Sequence, residues 1–71
     1  MDILIFKTNL NSPAKLQDVH LLMRAMPGLH RWNVDMHDSD HVLRIESSSL
    51  SPRMVESRLR GAGYYCEEME D

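Results

Sequence analysis

The 71-residue sequence sets 11 acidic against 8 basic residues, for a formal net charge of −3, and is 42% hydrophobic. That balance argues against a nucleic-acid binder, which presents a basic face. A lone cysteine excludes an internal disulfide, and no apolar run reaches the ~20 residues that span a bilayer. A chain this short makes one domain, residues 1–71, and buries only about 60% of its unfolded surface, so its stability margin is thin. The first residues, Met1 to Lys7, are too few and wrongly flanked for a signal peptide, and a cytoplasmic protein is expected.

Ile3-Leu4-Ile5-Phe6 is a continuous apolar run with the pattern of a central strand. The polar stretch from Lys7 to Asn11 ends it. Ser12 is a good N-cap, and Pro13 suits the first helical position, where a missing N–H costs nothing. The helix is expected to run to about Met26, with Leu16, Val19, Met23 and Met26 as its buried stripe, His20 beside them and Leu21 opposite. Pro27-Gly28 stops it.

Between Leu29 and Met36 the pattern alternates in part: Trp32, Val34 and Met36 share one face, and Arg31, Asn33 and Asp35 the other. Trp32 is expected to be a principal core anchor. Asp38-Ser39-Asp40 is turn chemistry, and Val42 to Glu46 resumes a strand with Leu43 and Ile45 inward, so the two strands make an antiparallel hairpin on a short turn. Leu50, ahead of the Ser51 cap, is placed to staple onto Val55. A second helix follows from Pro52, with Val55, Leu59 and Ala62 inward; Gly61-Ala62-Gly63 ends it, and Tyr64-Tyr65-Cys66-Glu67 reads as a last short strand. The acidic tail from Glu67 to Asp71 reads as a solvated strand end.

The order β-α-β-β-α-β is accompanied by matching halves: the spacing of Ile3, Phe6, Ser12 and Leu16 is repeated by Val42, Ile45, Ser51 and Val55. This is the plan of an α+β, ferredoxin-like two-layer sandwich. Right-handed crossovers put both helices on one face of a four-stranded antiparallel sheet, with strands one and three central.

Pro27-Gly28-Leu29 followed by Trp32 and Val34, and Ala62-Gly63-Tyr64 near the end, give the chain a further likeness. Together with element order they make it resemble the heavy-metal-associated domain family, the fold of copper chaperones and of the N-terminal modules of metal-transporting ATPases. In that family a Met-x-Cys-x-x-Cys loop after strand one holds the metal. The resemblance places Leu10 at the methionine, and Ser12 and Lys15 at the two cysteines. A serine hydroxyl is a poor neutral ligand and a lysine ammonium has no lone pair, whereas paired thiolates suit Cu(I) or Zn(II). The family's metal site is therefore expected to be lost, with no cofactor in its place.

Other candidates for chemistry are sparse. His37-Asp38-Ser39-Asp40-His41 is a dense group of imidazoles and carboxylates, but a turn aims its side chains apart and uses Asp and Ser for its own geometry. Cys66 is expected to face inward as an inert thiol. The six methionines form no Met-x-x-Met array. No nucleophile, base and orienting group stand at a recognisable spacing, so no enzyme is expected. The chain reads as a non-enzymatic interaction module for a protein partner, either itself or a membrane transporter component, with no nucleic acid and no membrane insertion. Leu10, Ser12, Lys15 and Tyr64 form the expected surface, with Lys15 reaching into solvent beside Tyr64 and the hairpin turn at the far pole. The open sheet face, the edges of strands two and four, and the outward helix positions Ala14, Leu21 and Ala25 are further contact candidates. The alternative is a metal-binding protein using His37, His41 or Cys66.

Overall fold

The computed structural model describes residues 2–69; Met1 and the end of the acidic tail, Glu70-Asp71, lie outside the described residues. Six elements follow in order: β1 (Asp2–Thr8), α1 (Pro13–Arg24), β2 (Leu29–Val34), β3 (Leu43–Ser47), α2 (Pro52–Gly61) and β4 (Cys66–Glu68). The strands pair antiparallel in the order β2-β3-β1-β4. This is the ferredoxin-like arrangement, with β1 and β3 at the centre.

Local chemistry sets the helix starts as the sequence implies. The Ser12 hydroxyl accepts the Lys15 N–H at 3.3 Å, and that of Ser51 accepts the Met54 N–H at 3.2 Å, each with proline following at the first helical position. α2 closes in a Schellman turn, in which Tyr64 N–H donates to the Leu59 carbonyl and Gly63 N–H to the Arg60 carbonyl, both at 3.0 Å. Gly63 supplies the positive φ of 94° that this turn requires. Gly28 has φ 86°, which favours glycine; a Cβ there would lie 2.3 Å from the Ser49 Oγ and would also make that side chain turn away.

One face of the sheet is buried and the other is wet. Phe6, Leu43 and Ile45 pack with Val19, Met23 and Met26 from α1 and its end, and with Leu50, Val55 and Leu59 from α2 and its entrance. The opposite face carries Ile3, Lys7, Arg31, Asn33 and Arg44, all exposed. Across the centre Leu4 pairs with Ile45, and Phe6 with Leu43. Every second residue therefore turns inward, the period-two rule of a strand.

Several sequence expectations need correction. β1 runs on through Thr8, because its end is paired on one side by Cys66 and held on the other by the hairpin loop. α1 stops at Arg24 with Ala25 as its cap, although Met26 is still buried. The hairpin loop covers residues 35–42, longer than a tight turn, and leaves Met36 exposed and outside the strand. Ala62 caps α2 and is exposed. Tyr64 and Tyr65 precede β4, since the Schellman turn uses the backbone there. Trp32 is only half-buried because β2 is an edge strand, whereas Leu10, from a loop, is fully buried.

The core ranking is testable by thermal and denaturant unfolding. Phe6→Ala should cost about 3–5 kcal/mol and Leu10→Ala about 2–5 kcal/mol, and both should exceed Trp32→Ala. A larger loss at Trp32 would move the core to the sheet edge. The Ser47 hydroxyl is buried without a hydrogen-bond partner, so Ser47→Ala should leave stability unchanged or raise it by about 1 kcal/mol.

Candidate functional site: the loop pole

β1 and β2 both run toward one end of the sheet, and β3 and β4 both leave from it. The β1–α1 loop (9–12), the hairpin loop (35–42) and the α2–β4 loop (62–65) therefore share a single pole. The expectation that the hairpin turn lies at the far pole is overturned by strand direction alone: β2 is antiparallel to β3, and β3 to β1.

Two residues that the sequence reading passed over hold these loops together. Thr8 is almost fully buried; its N–H donates to the Asp40 carbonyl at 3.0 Å, its hydroxyl donates to the His41 carbonyl, and the same oxygen accepts the Leu10 N–H at 3.2 Å. Asn9 turns the other way, its side-chain oxygen accepting the Tyr65 N–H at 3.0 Å. The available signal was a β-branched Thr followed by a turn-forming Asn at a strand end, which names a turn and does not name its partners.

Lys15 does not extend freely away from the protein. Its ammonium donates to the Asn9 carbonyl at 3.2 Å and to Asn11 Oδ1 at 3.0 Å, folding back over the loop. Ser12 spends its hydroxyl on the helix cap. Leu10 is fully buried and belongs to the core, so it forms no part of a contact surface; the Thr8 hydroxyl draws its backbone inward. Tyr64 packs against the core, and its hydroxyl donates to Asp18 Oδ2 at 2.6 Å, one helical turn along α1 from Lys15. In place of the expected cation beside an aromatic there are separate polar contacts, two from Lys15 and one from Tyr64. The Asp18 hydrogen bond, with lesser contributions from partial burial and the negative charge, raises the Tyr64 pKa; Glu67 does the same for Tyr65.

The donor set at this loop does not fit the metal that the family resemblance implies. A capping hydroxyl, a positively charged ammonium and a buried leucine offer no anionic or soft ligand.

In the hairpin loop the polar groups serve the loop itself. Asp35 Oδ1 accepts the His37 N–H at 3.0 Å, Asp38 Oδ1 accepts the Asp40 N–H at 2.8 Å, and His41 N–H donates to the Asp38 carbonyl at 3.0 Å. His41 takes a left-handed φ of 44°. Among the described residues no three His, Cys, Asp or Glu side chains gather closely enough to hold a metal ion. Beside this loop, Ile5, Asn33, Asp35, Asp38, Val42 and Arg44 line a shallow concavity of about 450 Å³ on the open sheet face. Cys66 is fully buried and free. Burial, helped by the negative charge of Glu56 and opposed by Arg60, pushes its thiol up to about 12 from 9.0.

The two sheet edges differ. Arg60 Nε donates to the Cys66 carbonyl at 3.0 Å and Glu56 Oε2 accepts the Glu68 N–H at 2.8 Å, so α2 side chains cover the outer edge of β4. Of the two edges offered as contact candidates, this one has part of its backbone already paired. The outward helix positions Ala14, Leu21 and Ala25 are exposed as expected, Leu21 at 64%.

A solved structure described as "Crosstalk between Cu(I) and Zn(II) homeostasis" superposes with a TM-score of 0.82, covering 97% of this chain and 100% of that chain at 10% sequence identity. No protein-family model matches the chain, and no curated protein matches it. At that identity the likeness establishes a shared fold. No helix among the described residues is long and apolar enough to cross a membrane.

Thr8 and Cys66 give tests of this geometry. Thr8→Val should destabilise the protein by about 1–3 kcal/mol, because the buried Leu10 amide loses its acceptor and the His41 carbonyl loses its donor, and hydrogen exchange should quicken at Leu10 and in the hairpin loop together. Cys66 should label slowly with thiol reagents until the protein is denatured. Its folded pKa lies above the unfolded value, so its contribution to stability is complete below pH 9.0 and is lost as pH rises toward about 12. Relative to Cys66→Ala, the parent should lose stability across that alkaline window and not at acid pH.

Proposed function

We propose that this chain is a non-enzymatic protein-interaction module of the heavy-metal-associated type, with a degenerate metal site, that docks through its loop pole. The observation that carries the reading is the Lys15 ammonium held between the Asn9 carbonyl and Asn11 Oδ1. A fixed positive charge occupies the loop where the family resemblance calls for a bound cation. A partner adapted to a cation at that corner, with an acidic patch of its own, meets one without any metal. The shared fold of the Cu(I)/Zn(II) homeostasis structure supports a setting in metal handling, and we place the protein in the cytoplasm beside such a system as an accessory. The hairpin loop, with His37 and His41, stands at the same pole as Ser12, Lys15 and Tyr64 and is included in the proposed surface.

Titration of the purified protein with Cu(I) and with Zn(II) tests the loss of the site. Binding should be no tighter than adventitious surface binding, and Ser12→Cys with Lys15→Cys should create a thiolate site. Stoichiometric binding at sub-micromolar affinity that survives His37→Ala with His41→Ala would overturn the proposal. Docking is tested by Lys15→Glu, which should abolish capture of an acidic protein partner, with Tyr64→Phe as a companion that removes the Asp18 bond and keeps the packed ring. Undiminished capture by Lys15→Glu would move the docking surface off this pole.

A further inference from the structure

The β2 edge carries an inference that does not depend on the loop pole. Asp35 N–H donates to the Val42 carbonyl at 2.9 Å, which makes that pair hydrogen-bonded. Antiparallel pairs alternate between hydrogen-bonded and non-hydrogen-bonded, and the register continues Val34 with Leu43, Asn33 with Arg44 and Trp32 with Ile45. The backbone groups of Trp32 and Val34 therefore point away from β3, toward the outer edge. On β4 two of the corresponding outward groups, the Cys66 carbonyl and the Glu68 N–H, are met by Arg60 and Glu56; on β2 no hydrogen-bond partner meets them among the described residues. A bare edge of this kind is a template for another strand. The bulge between Leu29 and Arg31 interrupts the edge at its start, leaving Arg31 to Asp35 as the stretch in regular register.

We propose that a second copy of this chain pairs with that stretch, forming a two-fold homodimer through antiparallel β2 edges centred on Asn33. The side chains select the occupant and the register. On the open face β2 and the residue that follows it, still bonded to Val42, read Arg31, Asn33, Asp35: positive, neutral, negative. Reversing such a strand about Asn33 sets Arg31 of each copy opposite the partner's Asp35, so the pattern is complementary to itself. A pairing centred on Trp32 would set Arg31 opposite the partner's Asn33 and leave the charges unmatched. Both charged residues are exposed: the Arg31 side chain, 81% exposed, is held only loosely by Glu46 at 3.9 Å, and Asp35 accepts the His37 N–H through Oδ1 with its second carboxylate oxygen left for the partner's guanidinium. On the helix-facing side the same register sets Trp32 opposite the partner's Val34. Both are half-buried apolar residues at the margin of the core, and each covers what the other leaves open. The outward amide and carbonyl of Trp32 meet those of the partner's Val34 as a hydrogen-bonded pair, so backbone parity agrees with the charge pattern. The two-fold axis stands perpendicular to the sheet, with the helices of both copies on one side and the two loop poles pointing in opposite directions.

Sedimentation across a concentration series tests the dimer, with circular dichroism as the check on folding. The parent should dimerise. Arg31→Glu alone and Asp35→Lys alone each set like charges face to face, and each should weaken dimerisation by about tenfold or more. An equimolar mixture of the two single variants should form a heterodimer, and the double variant Arg31→Glu with Asp35→Lys should recover the parental affinity. Val34→Pro removes an N–H that the β2–β3 ladder does not use and should abolish the dimer while the fold is kept. A parent that remains monomeric at the highest soluble concentration overturns the proposal, as does a mixture of single variants that stays monomeric or a folded Val34→Pro variant that still dimerises.

Discussion

The Thr8 hydroxyl donates a hydrogen bond to the His41 carbonyl and accepts one from the Leu10 N–H. These two bonds, made by one small side chain at the end of a central strand, tie a loop close in sequence to a loop far from it. They also explain why Leu10 is buried. The backbone polar groups of a loop can enter an apolar core only when they are hydrogen-bonded, and Thr8 supplies the acceptor. Asn9, facing the other way, carries the connection on to Tyr65. The pole is thus one bonded unit made from segments scattered along the chain.

Lys15 extends the same economy. Near the N-terminus of a helix a cation faces an unfavourable dipole, and solvent is the simplest escape. This lysine instead finds a carbonyl and an amide oxygen on the loop it follows, which offset the dipole and stiffen the corner. The result is a positively charged loop on a fold shared with a structure concerned with Cu(I) and Zn(II) homeostasis. A metal site needs electron-pair donors turned toward one point; here the nearest donors are already turned toward an ammonium.

The sheet's two edges are managed differently, and the difference traces to the helices. α2 delivers the chain directly into β4, so the long side chains of Glu56 and Arg60 reach its outward backbone groups. β2 ends the sheet on its far side. Its protection there consists of a bulge at its start and charged side chains on the open face. Charges blunt an edge against most strands, but a pattern that complements its own reverse also invites its own copy.

Much of the fold was legible in the sequence because local rules decide it. Ser12-Pro13 and Ser51-Pro52 mark helix starts, Gly63 supplies a left-handed turn, and the alternation of Leu43 and Ile45 with Arg44 and Glu46 tells inside from outside. The matched spacing of the two halves then gives the β-α-β-β-α-β order and hence the sandwich. The site was less legible because it depends on strand direction and on contacts between distant segments. That the hairpin loop joins the pole of Lys15 and Tyr64 follows from two antiparallel pairings in succession. Whether Leu10 is a surface residue or a core residue rests on a hydroxyl two positions earlier, and the fate of the Lys15 charge rests on how the loop before it bends. Sequence alone determined which residues favour each element and that the thiolates of a metal loop are absent. Only the tertiary structure decided what stands at the loop pole and which sheet edge is free, because those depend on where backbone donors and acceptors meet across the chain.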